Sequence, residues 1–469
     1  MPPLKHPSRN ETLELPPRRA RVGGETEVLI VGGGPAGLGA ALGASAAGAR
    51  VILAERYGFL GGNATAAMVM PFMSFHTHSR REQQIGSTIL FPTDHGPGEQ
   101  IIGGTLSLLV DRLVQAGGAI PPSLKTGYVV PFDPEIFKLV AQDLLDEAGV
   151  QFLFHSLASG VIGDHRLEGV IFETKSGPVV IRAKVVVDCT GDGDVAAQAG
   201  APYEVGDEDG LVQPMTMMFL MKEFGKEAFS SYVKSHPDQW WGVHGLWDLI
   251  RQAVEAGELE MPREDVLFFS TTHEGEVSVN STRIIKVLGI DVWDLTYAEW
   301  QGRQQMRMIA NFLRKYVPGF EKSFIGQSGA NVGVRETRRI LGEYQLTGED
   351  VLTGRKFDDV IARGSYPLDI HNPLGPGTFL KPVPPREAYD IPLRCLLPRK
   401  VENLMVAGRC LSGTHKAQSS YRIMPICMAT GQAAGVCTAL SVRSGMPLRE
   451  VPVGDVQRSL EQQKANLGR

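Results

Sequence analysis

Three groups of residues in this 469-residue chain have the types and spacing for chemistry. The first is Gly32-x-Gly34-x-x-Gly37, preceded by an apolar run and followed by a small-residue stretch. Between a strand and a helix, such a turn brings a pyrophosphate onto free backbone N–H groups at the positive end of the helix. Gly32 permits the tight bend, Gly34 lets phosphate approach the backbone, and Gly37 lets helix and strand pack closely. Pro35 and Ala36 complete the turn. Glu55 follows Gly37 by 18 residues, at the end of the next apolar run. A carboxylate there accepts both hydroxyls of a ribose. Glycine-rich turns are common, so the spacing alone is a weak signal; strand, helix and acid together specify a dinucleotide.

The second group is Arg335-Glu-Thr-Arg-Arg339, ahead of Ile340-Leu-Gly-Glu-Tyr344. Read as a strand, it turns Arg335 and Arg339 to one face and Arg338 to the other. Guanidinium groups held together clamp a carboxylate; the same residues also fit a structural ion-pair ladder with Glu336 and Glu343. Thr347-x-x-Asp350 reads as a capping box with Asp in place of Glu. The third group is His415, in Ser412-Gly-Thr-His-Lys416, with Arg422 further along the same loop. A histidine facing a ligand can move a proton; the alternative is a surface or supporting histidine. Lys416 and Arg422 suit an anionic ligand group, a phosphate or solvent. His76 and His78 have no carboxylate at ligand spacing, so no metal site is expected, and nothing local argues for a covalent coenzyme link at His76.

The elements that must position these groups can be read from periodicity. Glu27–Val31 is short, apolar and β-branched, which predicts a buried parallel strand. A helix is predicted from Pro35 to Ala47 and a second strand over Arg50–Ala54, making a right-handed βαβ unit. Helices are expected over Gly104–Ala116 and Pro134–Ala148, and strands over Gln151–His155, Ala158–Gly163, Leu167–Glu173 and Val179–Val187. From Gly206 to Pro392 the character changes: all five tryptophans lie there, with helices expected around Leu246–Ala256 and Leu295–Tyr316. A strand ending at Gly408 and a helix from Pro425 to about Leu440 resume the first pattern. The expected division is an extension over 1–24, a nucleotide-binding part over 25–205, an inserted substrate or cap domain over 206–392, a second nucleotide-binding part over 393–445, and a C-terminal segment over 446–469. Met1–Gly24 reads as a loose lead-in.

Composition narrows the function. Lys plus Arg is 47 against 52 Asp plus Glu, a net charge of −5, which disfavours a nucleic-acid or anionic-membrane binder. With 43% hydrophobic and 21% charged residues the chain is globular. Five cysteines without CxxC spacing support neither a disulfide scaffold, a zinc ribbon, an iron–sulfur cluster nor a redox dithiol. They read as buried and reduced, which suits the cytoplasm. The charge-free run Val28–Ala49 is long enough to span a bilayer, but its glycines and proline make it strand, turn and helix, so no membrane span is expected. Two segments then choose FAD over NAD: Val185-Val-Val-Asp-Cys-Thr190-Gly191-Asp-Gly193 and Asn403-Leu-Met-Val-Ala-Gly408-Arg409. FAD is long and needs contacts from strands distant in sequence.

On these residues, with Leu60-Gly-Gly-Asn-Ala-Thr65 and Met424-Pro425 through Gly435, the chain resembles the FAD-dependent oxidoreductases of the glutathione-reductase-like superfamily. More narrowly, it resembles the bacterial family related to fumarate-reductase and heterodisulfide-reductase flavoproteins. The resemblance implies a Rossmann-like α/β domain, three-layered (ββα) around a parallel sheet, with an inserted α+β substrate domain. It implies that Glu55 holds the adenosine ribose with Arg56 beside it, and that Gly61, Gly62, Asn63, Ala64 and Thr65 pass the pyrophosphate and flavin edge. The backbone near Ala158 then faces adenine, Thr190 and Gly191 lie beside the nucleotide, Gly408 and Arg409 follow the ribityl chain, and Met424 and Ile426 flank the isoalloxazine. Pro425 fits the first turn of a helix whose dipole stabilises negative charge on the reduced ring. Fumarate-reductase relatives use an arginine as proton donor, but no single residue here matches it; His415, Arg335, Arg339 and Arg422 are the catalytic candidates.

The expected function is hydride transfer between a small organic substrate and flavin N5. The alternatives are an NAD(P)H-dependent flavin monooxygenase and, in another class, a non-catalytic flavin-fold binding protein or a carrier subunit. Intact Gly32, Gly34 and Gly37 argue against the binding protein. With no second GxGxxG, the electron partner is oxygen, a quinone, a carrier protein or a nicotinamide entering the one pocket. A homo-oligomer is compatible with the sequence.

Overall fold

A computed structural model describes residues 11–73, 75–77, 98–122, 129–384 and 387–469. Strand β1 (Arg21–Val31) lies inside the main sheet, and Val28–Val31 are buried on both faces, as a near-continuous apolar run requires. Helix α1 (Pro35–Ala46) returns the chain to β2 (Val51–Ala54), which pairs in parallel with β1. Helices α2 (Thr105–Gln115) and α3 (Pro134–Glu147) follow. Asp133 starts α3: its side chain accepts from the N–H groups of Glu135 and Ile136, and Pro134 occupies the first turn. Strand β3 (Gln151–Leu153) extends the sheet beyond β2.

Strands β4 (Leu157–Gly163), β5 (Leu167–Thr174) and β6 (Gly177–Asp188) form an antiparallel meander whose last strand runs back beside β1 in parallel. The sheet order is therefore β3-β2-β1-β6-β5-β4. Residues 21–24, expected as part of a loose lead-in, are strand instead. The long β6 offers backbone partners as far as Val179, and Arg21 and Val22 pair with Val179 and Val180.

The chain then builds a second, antiparallel sheet from β7 (Phe219–Lys222), β8 (Trp240–Trp241), β9 (His244–Gly245), β10 (Val266–Ser270), β11 (Glu276–Val279) and β12 (Phe324–Ser328), ordered β8-β9-β10-β11-β7-β12. Helices α4 (Trp247–Glu255) and α5 (Val292–Tyr316) pack with it. Its separate core is aromatic: Phe229 and Phe268 are in ring contact with each other and each with Trp240 and Phe320. Residues from Ile340 to Leu397 bury their apolar side chains in the main core rather than in this one.

Strand β13 (Leu404–Val406) rejoins the first sheet alongside Val186–Asp188 of β6. Asn403 fixes the point where β5 and β13 leave the same strand: its amide accepts from the Leu167 N–H and donates to the carbonyls of Leu167 and Lys184. After the short α6 (His415–Tyr421), the core is closed by α7 (Met424–Ser444). Helix α7 is long and apolar enough to cross a membrane, but 83% of its apolar window is buried inside the protein. Its partner is α1, and each presents a Gly-x-x-x-Gly pair. A Cβ on Gly431 would stand 1.9 Å from the Ala36 carbonyl oxygen, and one on Gly435 would stand 2.0 Å from that of Ala40. On the other side, Cβ atoms at Gly39 and Gly43 would meet the carbonyl oxygens of Met428 and Gln432. The two backbones touch, which only glycine allows.

The architecture is thus a Rossmann-like α/β domain with an inserted, largely β substrate domain. One local expectation fails: the second group of arginines is strand only over Arg338–Ile340, paired with Tyr203–Val205. Arg335 lies outside the strand, so the alternation that would put it on one face with Arg339 does not apply.

Candidate functional site

A cavity of about 540 Å³ runs from the Gly32 turn, past the C-terminal ends of β1, β6 and β13, to the second sheet. The turn is held by backbone geometry. Gly32 has φ +103°, and a Cβ there would stand 2.4 Å from the Cys189 carbonyl oxygen. Gly37 packs against the same turn, its Cβ position 1.8 Å from the Gly32 oxygen. Gly34, by contrast, faces space: a Cβ there would meet only the Gly62 Cα at 3.8 Å. Bare backbone therefore lines the cavity where phosphates would approach.

Glu55 ends β2 with its carboxylate buried. Oε2 accepts from the Gly33 N–H at 2.6 Å and Oε1 from the Tyr57 N–H at 2.9 Å, which leaves lone pairs toward the cavity. Burial pushes its pKa up, against the pull of those two hydrogen bonds. At the end of β6, Asp188 organises the next turn by accepting from Thr190 N, Thr190 Oγ1 and Ala196 N. Gly408, at φ +84°, brings the end of β13 within 2.8 Å of the Ala36 methyl, measured from its Cβ position. Arg409 pairs with Asp192 at 2.9 Å, while its other terminal nitrogen is buried with no partner among the described residues.

Asp194 also lines the cavity. Burial, Asp192 and Asp188 push its pKa up to about 6, against Arg338 at 2.9 Å. The folded chain holds this proton more tightly than the unfolded one. The resulting stability is fully present below pH 3.8 and is lost as pH rises through about 6. Asp194→Asn is expected to flatten the decline in thermal midpoint across that window. An unchanged slope would assign the decline to other groups.

Of the expected coenzyme residues, Gly32, Gly34, Pro35, Ala36, Glu55, Arg56, Gly62, Asn63, Ala158, Thr190, Gly191, Gly408, Arg409 and Met424 line this cavity. Gly37, Gly61, Ala64, Thr65 and Ile426 do not. Gly37 is occupied with packing, and Gly61 donates its N–H to the Gly33 carbonyl. Thr65 donates its hydroxyl to Leu60, and Ala64 and Ile426 are buried in the core. The cradle fits FAD: glycine backbone at the phosphates, a carboxylate with free lone pairs, an unpartnered buried guanidinium nitrogen, and the N-terminus of α7 at Met424.

The far end of the cavity is a polar chamber that joins distant segments. Arg335 lines it, with its Nη1 donating to the Pro214 carbonyl at 2.6 Å and Thr216 Oγ1 at 2.5 Å. Arg422 lines it and donates to Asp369 Oδ2 at 3.2 Å. Tyr366 donates to the same oxygen at 3.1 Å, and His371 Nε2 stands 3.5 Å from it. Burial would raise the Asp369 pKa, but His371, Arg422 and Arg335 hold it well below the usual carboxylate range. Burial pushes His371 down to about 3, so its ring is neutral at pH 7. Arg283 Nη2 donates to His371 Nδ1 at 3.3 Å, which puts the ring proton on Nε2, facing Asp369. Strand β9 contributes His244, and the segment leading into β10 contributes Arg263 and Asp265, with His244 Nδ1 at 2.6 Å from Asp265.

Two expected catalytic residues are elsewhere. His415 does not line the cavity; its Nδ1 is 2.9 Å from Glu336 Oε1, and Glu336 is fully buried. Arg339 pairs with the same Glu336 oxygen and donates to the carbonyls of Gly413 and Gly206. The ion-pair reading of this segment is the one that the side chains adopt, in part: Glu336 takes Arg339, whereas Glu343 takes Arg449. His76 is buried beside Phe75, outside the cavity lining, and burial lowers its pKa to about 4. His78 lies outside the described residues.

Sequence reading missed Arg263, Asp265, Tyr366, Asp369 and His371. One signal was present: in Leu368–His371 the acid and the imidazole are two residues apart in a strand, which puts them on one face.

No curated protein matches the chain. Among solved structures, similarity extends to a geranylgeranyl bacteriochlorophyll reductase-like protein from Thermoplasma acidophilum, 13% identical, covering 95% of this chain and 85% of that one with a TM-score of 0.44. It extends also to the p-nitrophenol 4-monooxygenase of Pseudomonas putida DLL-E4, 10% identical, covering 94% and 90% with a TM-score of 0.43. The family model described as FAD dependent oxidoreductase matches residues 27–460, from within β1 to beyond the end of α7. The chain belongs to the FAD dependent oxidoreductase family, and it is an FAD-binding enzyme.

Proposed function

We propose that the enzyme moves hydride between a small organic substrate and flavin N5, with the substrate in the chamber between the nucleotide cradle and the second sheet. The observation that carries this is one cavity reaching from the dinucleotide turn to Arg335, Arg422, Tyr366 and Asp369. When bound, FAD supplies a two-electron acceptor or donor at its ring. The chain's own residues bind and orient. Arg335 and Arg422 hold the substrate, and Tyr366 donates a hydrogen bond from its hydroxyl to the ionised Asp369, which fixes that carboxylate beside Arg422. Burial and Asp369 push the phenol pKa well above its usual value, so Tyr366 keeps this proton. Glu336, Arg339 and His415 are positioning residues that fix the backbone next to Arg335. In this reading the segments 25–205 and 393–445 hold the coenzyme and 206–392 covers the ring. A kinship with fumarate-reductase-type flavoproteins belongs to the same reading, supported by the arginine-lined chamber.

The test is an anaerobic screen of the purified holoenzyme. Bleaching of the flavin band by a small organic donor, without nicotinamide, is the expected result. Bleaching by NAD(P)H alone, followed by oxygen-dependent insertion into an organic compound, would overturn it in favour of a monooxygenase. His415→Ala is expected to lower the thermal midpoint, because Glu336 loses a partner worth about 1.5–3 kcal/mol, while bleaching slows by no more than about threefold. A rate loss of orders of magnitude with FAD retained would return His415 to the chemistry.

A further inference from the structure

We infer that the substrate is an organic carboxylate and that Arg335 is its anchor; the inference rests on the chamber being the substrate site proposed above. The argument is a charge inventory of that chamber. Asp369 is taken by Arg422, Tyr366 and His371. Asp265 is taken by His244 at 2.6 Å and by Arg263 at 3.5 Å. Glu264, with a half-exposed side chain, accepts from the Gly377 N–H and stands 3.9 Å from Arg283. Every carboxylate of the chamber thus has its cation.

Arg335 is the cation left over. Among the described residues no carboxylate lies within ion-pair distance of it; its only protein acceptors are the Pro214 carbonyl and the Thr216 hydroxyl, both on Nη1. Among the described residues the Nε and Nη2 donors of this half-buried side chain have no acceptor. Two neighbours repeat the pattern: Nε of Arg422 and Nε of Arg263 are both buried without a partner among the described residues.

A guanidinium keeps its charge at pH 7, and guanidinium groups gathered in a partly buried site repel one another until an anion joins them. Burial, together with Arg422 and Arg263, pushes Arg335 down to about 9 against the opposing pull of Asp369. A ligand anion offsets this excess of positive charge. The free edge of the guanidinium, Nε and Nη2, is a planar fork that matches the two oxygens of a carboxylate. Val69, Met73, Leu267, Phe269 and Leu380 also line the cavity, an apolar set that suits a hydrocarbon or ring body behind the carboxylate.

The test titrates the holoenzyme with acetate, hexanoate and benzoate, with benzamide as the neutral isostere of benzoate. Binding is read both as a perturbation of the flavin absorption band and as a rise in thermal midpoint. At least one carboxylate is expected to bind saturably, benzamide at least about tenfold more weakly than benzoate. Arg335→Leu is expected to weaken carboxylate binding by about 30-fold or more with FAD content unchanged. Arg335→Lys, which keeps the charge and loses the fork, is expected to fall between, and serves if the leucine variant does not fold. The inference is overturned if no carboxylate binds, if benzamide binds as well as benzoate, or if the Arg335 variants lose FAD while keeping carboxylate affinity; Arg335 would then be the coenzyme's counter-ion. A chain that takes up no FAD would defeat the coenzyme reading alone, since the thermal midpoint still reports carboxylate binding.

Discussion

Replacing Gly435 with alanine is expected to destabilise the protein by about 1–3 kcal/mol or more and to reduce the FAD retained on purification. The added methyl would stand 2.0 Å from the Ala40 carbonyl oxygen and 2.8 Å from the Ala44 nitrogen. Both are backbone atoms of α1, and α1 cannot retreat without moving the Gly32 turn at its own N-terminus. The expected signature is a lowered thermal midpoint together with weaker FAD binding, since one displacement drives both. Gly454→Ala is the control: its Cβ would meet only the end of the Arg458 side chain, at 3.4 Å, and a change within about ±0.5 kcal/mol is expected. If Gly435→Ala melts with the wild type, the close approach of α1 and α7 is wrong.

Glu55→Ala is expected to weaken FAD binding by about two orders of magnitude, measured by flavin fluorescence on titrating the apoprotein. The carboxylate does two things. It accepts from the Gly33 and Tyr57 N–H groups, each a charge-assisted bond of about 1.5–3 kcal/mol. It also presents its remaining lone pairs to the ribose. Alanine removes both, leaving the Gly33 N–H without an acceptor in the middle of the phosphate turn. Glu55→Gln keeps one acceptor oxygen and should lose less. Equal affinity of all three proteins would remove Glu55 from the coenzyme site.

Much of the nucleotide half was legible because its signals are local. A turn that must bend at φ +103°, pack against its own helix and expose backbone to a phosphate needs glycine at three fixed spacings. Helix boundaries were legible for a similar reason: α3 was expected over Pro134–Ala148 and runs Pro134–Glu147, with Asp133 as its cap. The arginine cluster was legible as a cluster but not in its pairing. Arg335 and Arg339 look equivalent in sequence. Only one of them meets a buried carboxylate, because the short strand begins at Arg338 and turns Arg339 toward Glu336.

The loop carrying His415 shows the same limit. Its position between β13 and α7 suggested a residue facing the ring. In the fold the neighbouring Arg422, seven residues on, faces the chamber, and His415 faces Glu336. About two turns of the short helix α6, roughly 10 Å along its axis, separate the two, and how far along such a helix the chamber begins depends on what packs against it.

What the amino-acid order determined unaided was the turn from Gly32 to Gly37 with Glu55, since each of its requirements concerns backbone conformation or contacts within one βαβ unit. What only the tertiary structure decided was the chamber. Arg263, Arg335, Asp369 and Arg422 come from four distant segments. Whether each charge is neutralised or left for a ligand depends on which side chains end up within a few ångströms of it, because an ion pair falls away over distances that sequence separation does not measure.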